Sequence, residues 1–281
     1  HNYNMTCVQM NYMLAMKQMS LVDWQCKLNE SRSSSKFEFD IPRVHVHVIS
    51  LARSFERRRE CVEALQIQNI SYEIFSAVDG LDDGAFHVGE IARYAGKEKR
   101  AALHRTSMMR RVELENARSH YDTASLPEEV RNNLHERLRF GCSMSHVRLW
   151  MRLLSTNLPF FVILEDDARI VPNFQRRIVD ALRQLPKDWD LFYAFACDIR
   201  PGEYLRANIR QFRGGACTLG YVISRKGAEH LLFDAAIGSE LPVDKMMHVP
   251  VSRGRMLAFY ADPFLVERVD NAHEQSTLAY L

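Results

Sequence analysis

Three features are absent from this sequence of 281 residues, and each absence excludes a class of protein. No run approaches the roughly 20 uninterrupted apolar residues that a membrane-spanning helix needs. The charge is balanced, because 37 Lys and Arg face 35 Asp and Glu, so no global field draws the protein to nucleic acid or anionic lipid. The six Cys form neither a Cys-x-x-Cys pair nor a Cys/His cluster at zinc spacing, which argues against a structural zinc site of that kind and against a disulfide-dense mini-fold.

The composition that remains is that of a folded protein, with 47% hydrophobic and 26% charged residues. A chain of this length buries a sizeable core as one enzyme-sized domain. Residues 1–40 differ from the rest, since they hold five Met in the first 19 positions followed by a polar run. We interpret them as an N-terminal extension or stem ahead of a catalytic domain at 41–281.

The sequence contains three N-glycosylation sequons, which begin at Asn4, Asn29 and Asn69. They favour the lumen of the endoplasmic reticulum or Golgi, with the cytoplasm of a bacterium or virus as the alternative. The six Cys are expected to be free thiols or to form one or two bridges.

Hydrophobic periodicity predicts an α/β fold. A β-branched, alternating run at 44–49, a charged helix at 53–65 and a second strand at 72–75 form a strand-helix-strand start. The segment 84–138 has a helical composition and is expected to be a helical insertion. The C-terminal half continues the alternation, and the expected segments are helix 143–154, strand 160–164, helix 174–185, strand 191–195, strand 219–223 and helix 225–233. This order predicts a central, mostly parallel sheet.

Three consecutive carboxylates, Glu165, Asp166 and Asp167, follow the apolar run at 160–164. Adjacent carboxylates raise one another's pKa unless a cation lies among them. Oxygen ligands suit Mg²⁺ or Mn²⁺, and ligands of open α/β sheets bind where the strands end. The motif therefore predicts a divalent metal site, with solvated turn acids as the alternative.

Four blocks, in order along the chain, resemble glycosyltransferase family 25, the family of lipooligosaccharide and collagen galactosyltransferases. They comprise Val48–Leu51 with Arg57, Arg58 and Ala77–Gly80; Gly141–His146 with Trp150; Val162–Asp167; and Gly220–Ala228 with Leu241–Asp244. The blocks span about 44–245, and residues 1–40 match nothing in the family. Ser50 and Ala52 depart from the Asn and the acid that the family commonly has there.

The resemblance implies a GT-A type, Rossmann-like fold that uses a UDP-sugar, most often UDP-galactose, with Mn²⁺ or Mg²⁺ and inversion at the anomeric carbon. Asp167 is expected to be the principal metal ligand, with Glu165 and, from the C-terminus, His273 completing the shell. Asp244 is expected to be the catalytic base, and a helix N-cap for a segment starting at Lys245 is its alternative role.

The remaining expectations concern the donor sugar nucleotide. Glu165 or Asp166 is expected to hydrogen-bond the ribose. Ser145 and His146 are expected to meet the diphosphate near the start of helix 143–154, with a capped helix and a packed His as the alternative. Arg57 and Arg58 are candidates for a phosphate contact. Ser50 and Asp79 complete the predicted donor site, and Gly214-Gly215 is interpreted as a flexible loop rather than a dinucleotide cradle.

Together these features predict an inverting, metal-dependent transferase that moves a hexose from a UDP-sugar to a hydroxyl of a glycan or protein. The alternative is a catalytically inactive relative that binds carbohydrate or acts as a scaffold. A glycoside hydrolase fits less well, because it needs two carboxyl groups facing each other across a sugar rather than three in one turn. No nucleic-acid partner is expected.

Overall fold

The computed structural model describes residues 44–82, 128–236 and 241–268. The expected N-terminal extension, most of the expected insertion at 84–138 and His273 lie outside the described residues. Within those ranges, no helix is long and apolar enough to cross a membrane.

The described ranges contain ten strands and five helices. In chain order these are β1 (His45–Ser50), α1 (Phe55–Ile67), β2 (Ser71–Ser76), α2 (Glu128–Leu154), β3 (Phe160–Glu165), β4 (Ala168–Ile170), α3 (Phe174–Leu182), β5 (Leu191–Cys197), β6 (Pro201–Arg206), β7 (Ile209–Phe212), β8 (Ala216–Ser224), α4 (Arg225–Ala236), α5 (Val243–Ser252), β9 (Ala258–Ala261) and β10 (Val266–Arg268). The predicted alternation of strands and helices is confirmed.

Eight strands form one sheet in the order β2-β1-β3-β8-β5-β9-β7-β6, and β4 pairs with β10 beside it. The expectation of a mostly parallel sheet is wrong. β1 runs parallel to β2 and β3, and β5 runs parallel to β9, but β8 is antiparallel to both β3 and β5. The physical reason is the connection from β5 to β8, which is the β6–β7 hairpin and not the helical crossover that parallel strands need.

Each face of the sheet carries one hydrophobic cluster, so the domain has three layers. On one face the side chains of β1, β3, β5 and β8 pack with α2, α4 and α5, around the fully buried Trp150 and Tyr221. On the other face the alternate side chains pack with α1 and α3, around Phe174 and Phe192. The run at 160–164 is buried on both faces, as predicted.

The helix expected at 143–154 is longer than predicted, because α2 begins at Glu128. Ser143 resembles a helix cap in sequence, but its hydroxyl lies inside the helix and donates to the carbonyl of Arg139, four residues earlier. The expected start at Ser143 is therefore wrong, and the end at Leu154 is confirmed.

One disulfide, between Cys197 and Cys217, joins the end of β5 to the start of β8. Cys61 and Cys142 are free thiols. The sequence leaves open whether the Cys are free or form one or two bridges. For the four Cys in the described ranges, the structure shows one bridge and two free thiols.

Candidate functional site

The site lies where the carboxyl ends of β1 and β3 meet. The two strands pair in parallel with Ile49 opposite Glu165, so Ser50 at the end of β1 lies beside the three acids that end β3. Ligands of open α/β sheets bind outside such strand ends. The topology therefore brings together the first and third sequence blocks of the family resemblance.

A guanidinium lies among the three acids. Arg57, in the first turn of α1, donates from Nη2 to Asp166 Oδ1 at 2.5 Å, and the same nitrogen is 3.5 Å from Asp167 Oδ1. Burial opposes the charge of Arg57, but Asp166 and Asp167 outweigh it and raise the pKa of the guanidinium. The cation expected among these carboxylates is in part a protein side chain, and one positive charge does not balance three carboxylates.

Asp167 lacks a hydrogen-bond partner for one of its oxygens. Its Oδ1 is buried and accepts no hydrogen bond from the residues that the structure describes, although the Arg57 charge is near. Burial, followed by the charge of Glu165, raises the pKa of Asp167 to about 6. A buried carboxylate oxygen without a donor is costly unless a cation binds it.

Asp166 and Glu165 are partnered within the protein. Burial raises the pKa of Asp166, and the charge of Arg57 and a hydrogen bond from Ser50 offset only part of that rise. Burial also opposes the charge of Glu165, but hydrogen bonds with His146 and Thr218 outweigh it, so the pKa of Glu165 falls below its ordinary value. Glu165 therefore stays ionised beside Asp167.

Ser145 and His146 lie in the interior of α2, so the expectation that they meet diphosphate at a helix start is wrong. The Ser145 hydroxyl accepts from the backbone N–H of Val78 and donates to the carbonyl of Gly141, each at 2.8 Å. His146 is 1% exposed. Its Nδ1 is 2.8 Å from the Tyr221 hydroxyl and its Nε2 is 3.7 Å from Glu165 Oε1. Ser145 therefore holds the loop after β2, and His146 lies against Glu165.

The loop after β2 is held against α2 by contacts between backbones. A Cβ on Gly80 would be 2.4 Å from the carbonyl oxygen of Arg137, and a Cβ on Gly141 would be 2.7 Å from that of Val78. Only glycine permits such a close approach. The glycines in the first and second blocks of the family resemblance therefore have a packing reason.

That loop positions Asp79, which forms an ion pair with Arg53. Asp79 Oδ1 also accepts from the backbone N–H of Leu81 at 2.9 Å. Arg58 is a candidate for a phosphate contact. In the structure it donates to Ser50 Oγ at 3.2 Å. Ser50, Arg58 and Asp79 thus lie at the same edge of the sheet as the acids.

Asp244 is the second residue of α5, and Pro242 occupies the N-cap position without a side-chain cap. The alternative role of Asp244 as an N-cap is therefore wrong. Burial, and then the charges of Glu165, Asp244 and Asp167, raise the pKa of the Cys142 thiol. Asp244 and the acids at the end of β3 are therefore both close enough to Cys142 for their charges to affect its thiol.

Sequence analysis missed two site residues, Thr218 and His248. The Thr218 hydroxyl donates to Glu165 across the β3–β8 pair, a contact 53 residues apart in the chain. His248 Nδ1 accepts from the backbone N–H of Gly215 at 2.9 Å. The spacing of Asp244 and His248, four residues apart in a helical pattern, is the one signal that indicates a shared helix face. Gly214-Gly215 is held by this contact, not a free loop.

The chain is similar to proteins of one known family. A family model described as glycosyltransferase family 25 (LPS biosynthesis protein) matches residues 43–200. Human procollagen galactosyltransferase 2 is 27% identical over 241 residues, which is 79% of this chain and 34% of the relative. A probable inactive glycosyltransferase 25 family member 3 from Bos taurus is 27% identical over 222 residues, 76% of this chain and 32% of the relative. Xenopus laevis procollagen galactosyltransferase 1-B is 35% identical over 117 residues, 39% of this chain and 19% of the relative.

This chain spans about a third of the length of human procollagen galactosyltransferase 2. The matched region contains β1, α1, β3 and the three acids, and the family match covers more than half of the chain. The chain belongs to glycosyltransferase family 25.

Proposed function

We propose that this chain is a galactosyltransferase of GT-A type that transfers galactose from UDP-galactose to a hydroxyl of a glycan or protein, with inversion. The observation that carries the proposal is the buried Asp167 oxygen without a donor, at a strand edge that also holds Glu165 and Asp166. Family membership and the names of the procollagen galactosyltransferases among its relatives support the transferase class and the choice of sugar.

A divalent ion, Mn²⁺ or Mg²⁺, fits these residues. Asp167 Oδ1 is a buried oxygen without a hydrogen bond, and the one guanidinium of Arg57 leaves the carboxylates with an excess of negative charge. Asp167 would be the main ligand and Glu165 a second. When bound, such an ion offsets the negative charge that develops on the leaving UDP.

The chain's own residues prepare this reaction. Arg57 fixes Asp166, and Thr218 and His146 fix Glu165, so the carboxylates keep their positions before the donor binds. Asp244 then takes the proton from the acceptor hydroxyl as that oxygen attacks the anomeric carbon from the face opposite UDP. The bond from the anomeric carbon to the UDP oxygen breaks in the same step, which inverts the configuration.

An inactive, carbohydrate-binding protein is the second candidate. The observation in its favour is that some relatives are named inactive, including the bovine protein. The presence of all three acids and of Asp244 in this chain supports the active transferase instead.

The first test measures binding and hydrolysis of UDP-galactose, UDP-glucose and UDP-N-acetylhexosamines, with Mn²⁺ and with EDTA. We expect Mn²⁺-dependent binding and a preference for UDP-galactose. Asp167→Asn is expected to reduce the Mn²⁺-dependent binding and the hydrolysis of UDP-galactose by about a hundredfold or more. This is the range known for removal of one group that stabilises developing charge. Asp180→Asn, which removes an exposed acid on α3, is the matched control. Binding of no donor under any condition would favour the inactive protein.

The second test separates the base from the donor site. Asp244→Asn is expected to keep the native affinity for UDP-galactose and to lower kcat by about 10²–10⁴-fold, the usual contribution of a general base. Near-native turnover in this variant is incompatible with Asp244 as the base.

A secretory compartment is also part of the proposal. The Cys197–Cys217 bridge persists in oxidising environments, and Asn69 of the third sequon is exposed in the turn between α1 and β2. A mass shift after enzymatic removal of N-glycans from the chain expressed in a eukaryotic secretory pathway tests this, with Asn69→Gln as the control whose shift is smaller by one glycan.

A further inference from the structure

A second cluster of metal-binding side chains lies toward the amino end of β1, away from the strand ends of the proposed active site. It consists of His45 and His47 on β1 and Glu73 on β2, which we call the histidine cluster. His47 pairs with Glu73 in the parallel register, and His45 precedes His47 by two residues. Side chains two residues apart on a strand point to the same face, so all three share the face that packs against α2.

The ligand atoms of the histidine cluster are close together. Nε2 of His45 is 4.0 Å and Nδ1 of His47 is 3.8 Å from Oε2 of Glu73. One ligand atom from each residue lies within 4.8 Å of the others. A metal ion with ligands at about 2.0–2.2 Å needs somewhat shorter separations than these. The side chains of His45 and Glu73 are 42% and 38% exposed, so they are able to close the difference.

His47 is the part of the cluster that the fold alone does not explain. Its side chain is 3% exposed, and within the described part of the chain neither of its ring nitrogens has a hydrogen-bond partner. Buried polar atoms are nearly always partnered, so an imidazole with two unpartnered nitrogens indicates a missing partner.

The neighbours of the cluster are consistent with a bound cation on one condition. The hydroxyl of Ser71 is 2.8 Å from Nδ1 of His45, which orients that ring and leaves its Nε2 toward Glu73. The guanidinium of Arg152, from α2, forms two hydrogen bonds to Glu73, at 2.6 Å and 2.8 Å. Because the Arg152 charge opposes a cation, Glu73 must share or exchange this half-exposed ion pair when a metal binds.

We propose that His45, His47 and Glu73 form a binding site for one divalent transition-metal ion such as Zn²⁺, separate from the acidic donor site. Two imidazoles and one carboxylate with an open fourth position are a ligand set that Zn²⁺ accepts. The three acids after β3 offer only oxygen, which suits Mg²⁺ or Mn²⁺. The two sites therefore select different metals by the chemistry of their ligands.

The site lies on the sheet rather than in a loop, and its ligands come from two strands, β1 and β2. A bound ion would tie β1 to the edge strand β2 beside the end of α2. On this face of the sheet, the positions between His47 and Glu165 are filled by Ile49 and Ile163, both buried. We therefore expect the ion to stabilise the protein without taking part in sugar transfer.

The test uses the full chain after treatment with a chelator. Zn²⁺ is titrated by calorimetry in excess Mg²⁺, which occupies the acidic site, and Co²⁺ is used to record the visible absorption of the bound ion. We expect a saturable Zn²⁺ site at a ratio of one, a raised melting temperature, and a Co²⁺ band typical of tetrahedral nitrogen and oxygen ligands. His45→Ala and His47→Ala are each expected to weaken Zn²⁺ binding at least about tenfold, the minimum cost known for perturbing a metal site.

Two further variants make the test specific. His135→Ala, which removes a half-buried histidine of α2 outside the cluster, is expected to keep native Zn²⁺ affinity. Arg152→Gln is expected to strengthen Zn²⁺ binding, because it removes the opposing charge and frees Glu73. His45 is exposed, so His45→Ala remains informative if His47→Ala does not fold. Native Zn²⁺ affinity in His45→Ala, or no gain in Arg152→Gln, overturns the proposed site.

Discussion

Two neighbouring segments of the candidate site, Gly141–His146 in α2 and Glu165–Asp167 after β3, differ in how their polar groups are satisfied. Both carry the family resemblance, and His146 is in contact with Glu165. In the first segment, Ser145 and His146 have partners within the protein. In the second, Asp167 keeps a buried oxygen without a donor. Both segments carry the resemblance, but only their hydrogen bonds distinguish the residues whose polar atoms are satisfied within the described protein from Asp167, whose Oδ1 is not.

The largest expected effect on stability concerns the unpartnered acid. The pKa of Asp167 in the folded protein, about 6, is above its ordinary value, so its charge opposes folding. This destabilisation by the Asp167 charge is absent below pH 4 and complete above pH 6. Asp167→Asn is therefore expected to match the native chain near pH 4 and to exceed its free energy of unfolding by up to about 3 kcal/mol at pH 7. Denaturation by urea at several pH values, without divalent ions, measures this difference.

Equal pH profiles for the native chain and Asp167→Asn would contradict this account of Asp167. The same variant is expected to lose transfer, so its gain in stability separates a functional residue from a structural one.

The next prediction is a loss of stability, and it concerns the segment Gly141–His146 of α2. Gly141→Ala is expected to lower the free energy of unfolding by about 1–3 kcal/mol, because the added Cβ would meet the backbone of Val78 and Gly80. Helix propensity alone predicts the reverse, a gain of about 1 kcal/mol for Ala over Gly inside a helix. Thermal or urea denaturation decides between the two, and a stabilised variant would show that the loop is able to move away.

The smallest effect compares two serines of α2. Ser145→Ala leaves the backbone N–H of Val78 without its acceptor and is expected to cost about 1 kcal/mol or somewhat more. Ser143→Ala removes only a hydrogen bond to the preceding turn and is expected to change stability by less than about 0.5 kcal/mol. Similar losses of stability in Ser145→Ala and Ser143→Ala would mean that the hydrogen bond from Val78 to Ser145 does not stabilise the protein.

The sequence predicts the parts of the fold that depend on local patterns. The apolar run at 160–164 and the alternation at 44–49 indicated β3 and β1, and the acids that follow β3 indicated the site. The direction of β8 was not predictable, because a strand buried on both faces has the same pattern in either direction. The largely exposed strand β6 and the four-residue strand β7 also gave no signal.

The site contacts that sequence analysis missed join residues far apart in the chain. Arg57 and Asp166 are separated by 109 positions, so nothing local indicates that a protein cation already lies among the acids. Ser143 illustrates the opposite problem, since a serine before an apolar run is typical of a helix start but also fits a helix interior. Gly80, in the loop after β2, and Gly141, inside α2, each permit a close backbone contact that the sequence alone does not show.

The position of β8 also determines how the domain is assembled during synthesis. β3 and β5 lie on either side of β8 and do not pair with each other. Until residue 224 has left the ribosome, the nascent chain holds the half-sheet β2-β1-β3 and the lone strand β5, because β9 follows later still. Both have open edges of the kind that promotes aggregation. A fragment cut at the boundary of the family match, residue 200, would keep both open edges permanently. Expression of this domain therefore requires the chain through β8, although the acidic motif is complete by residue 167.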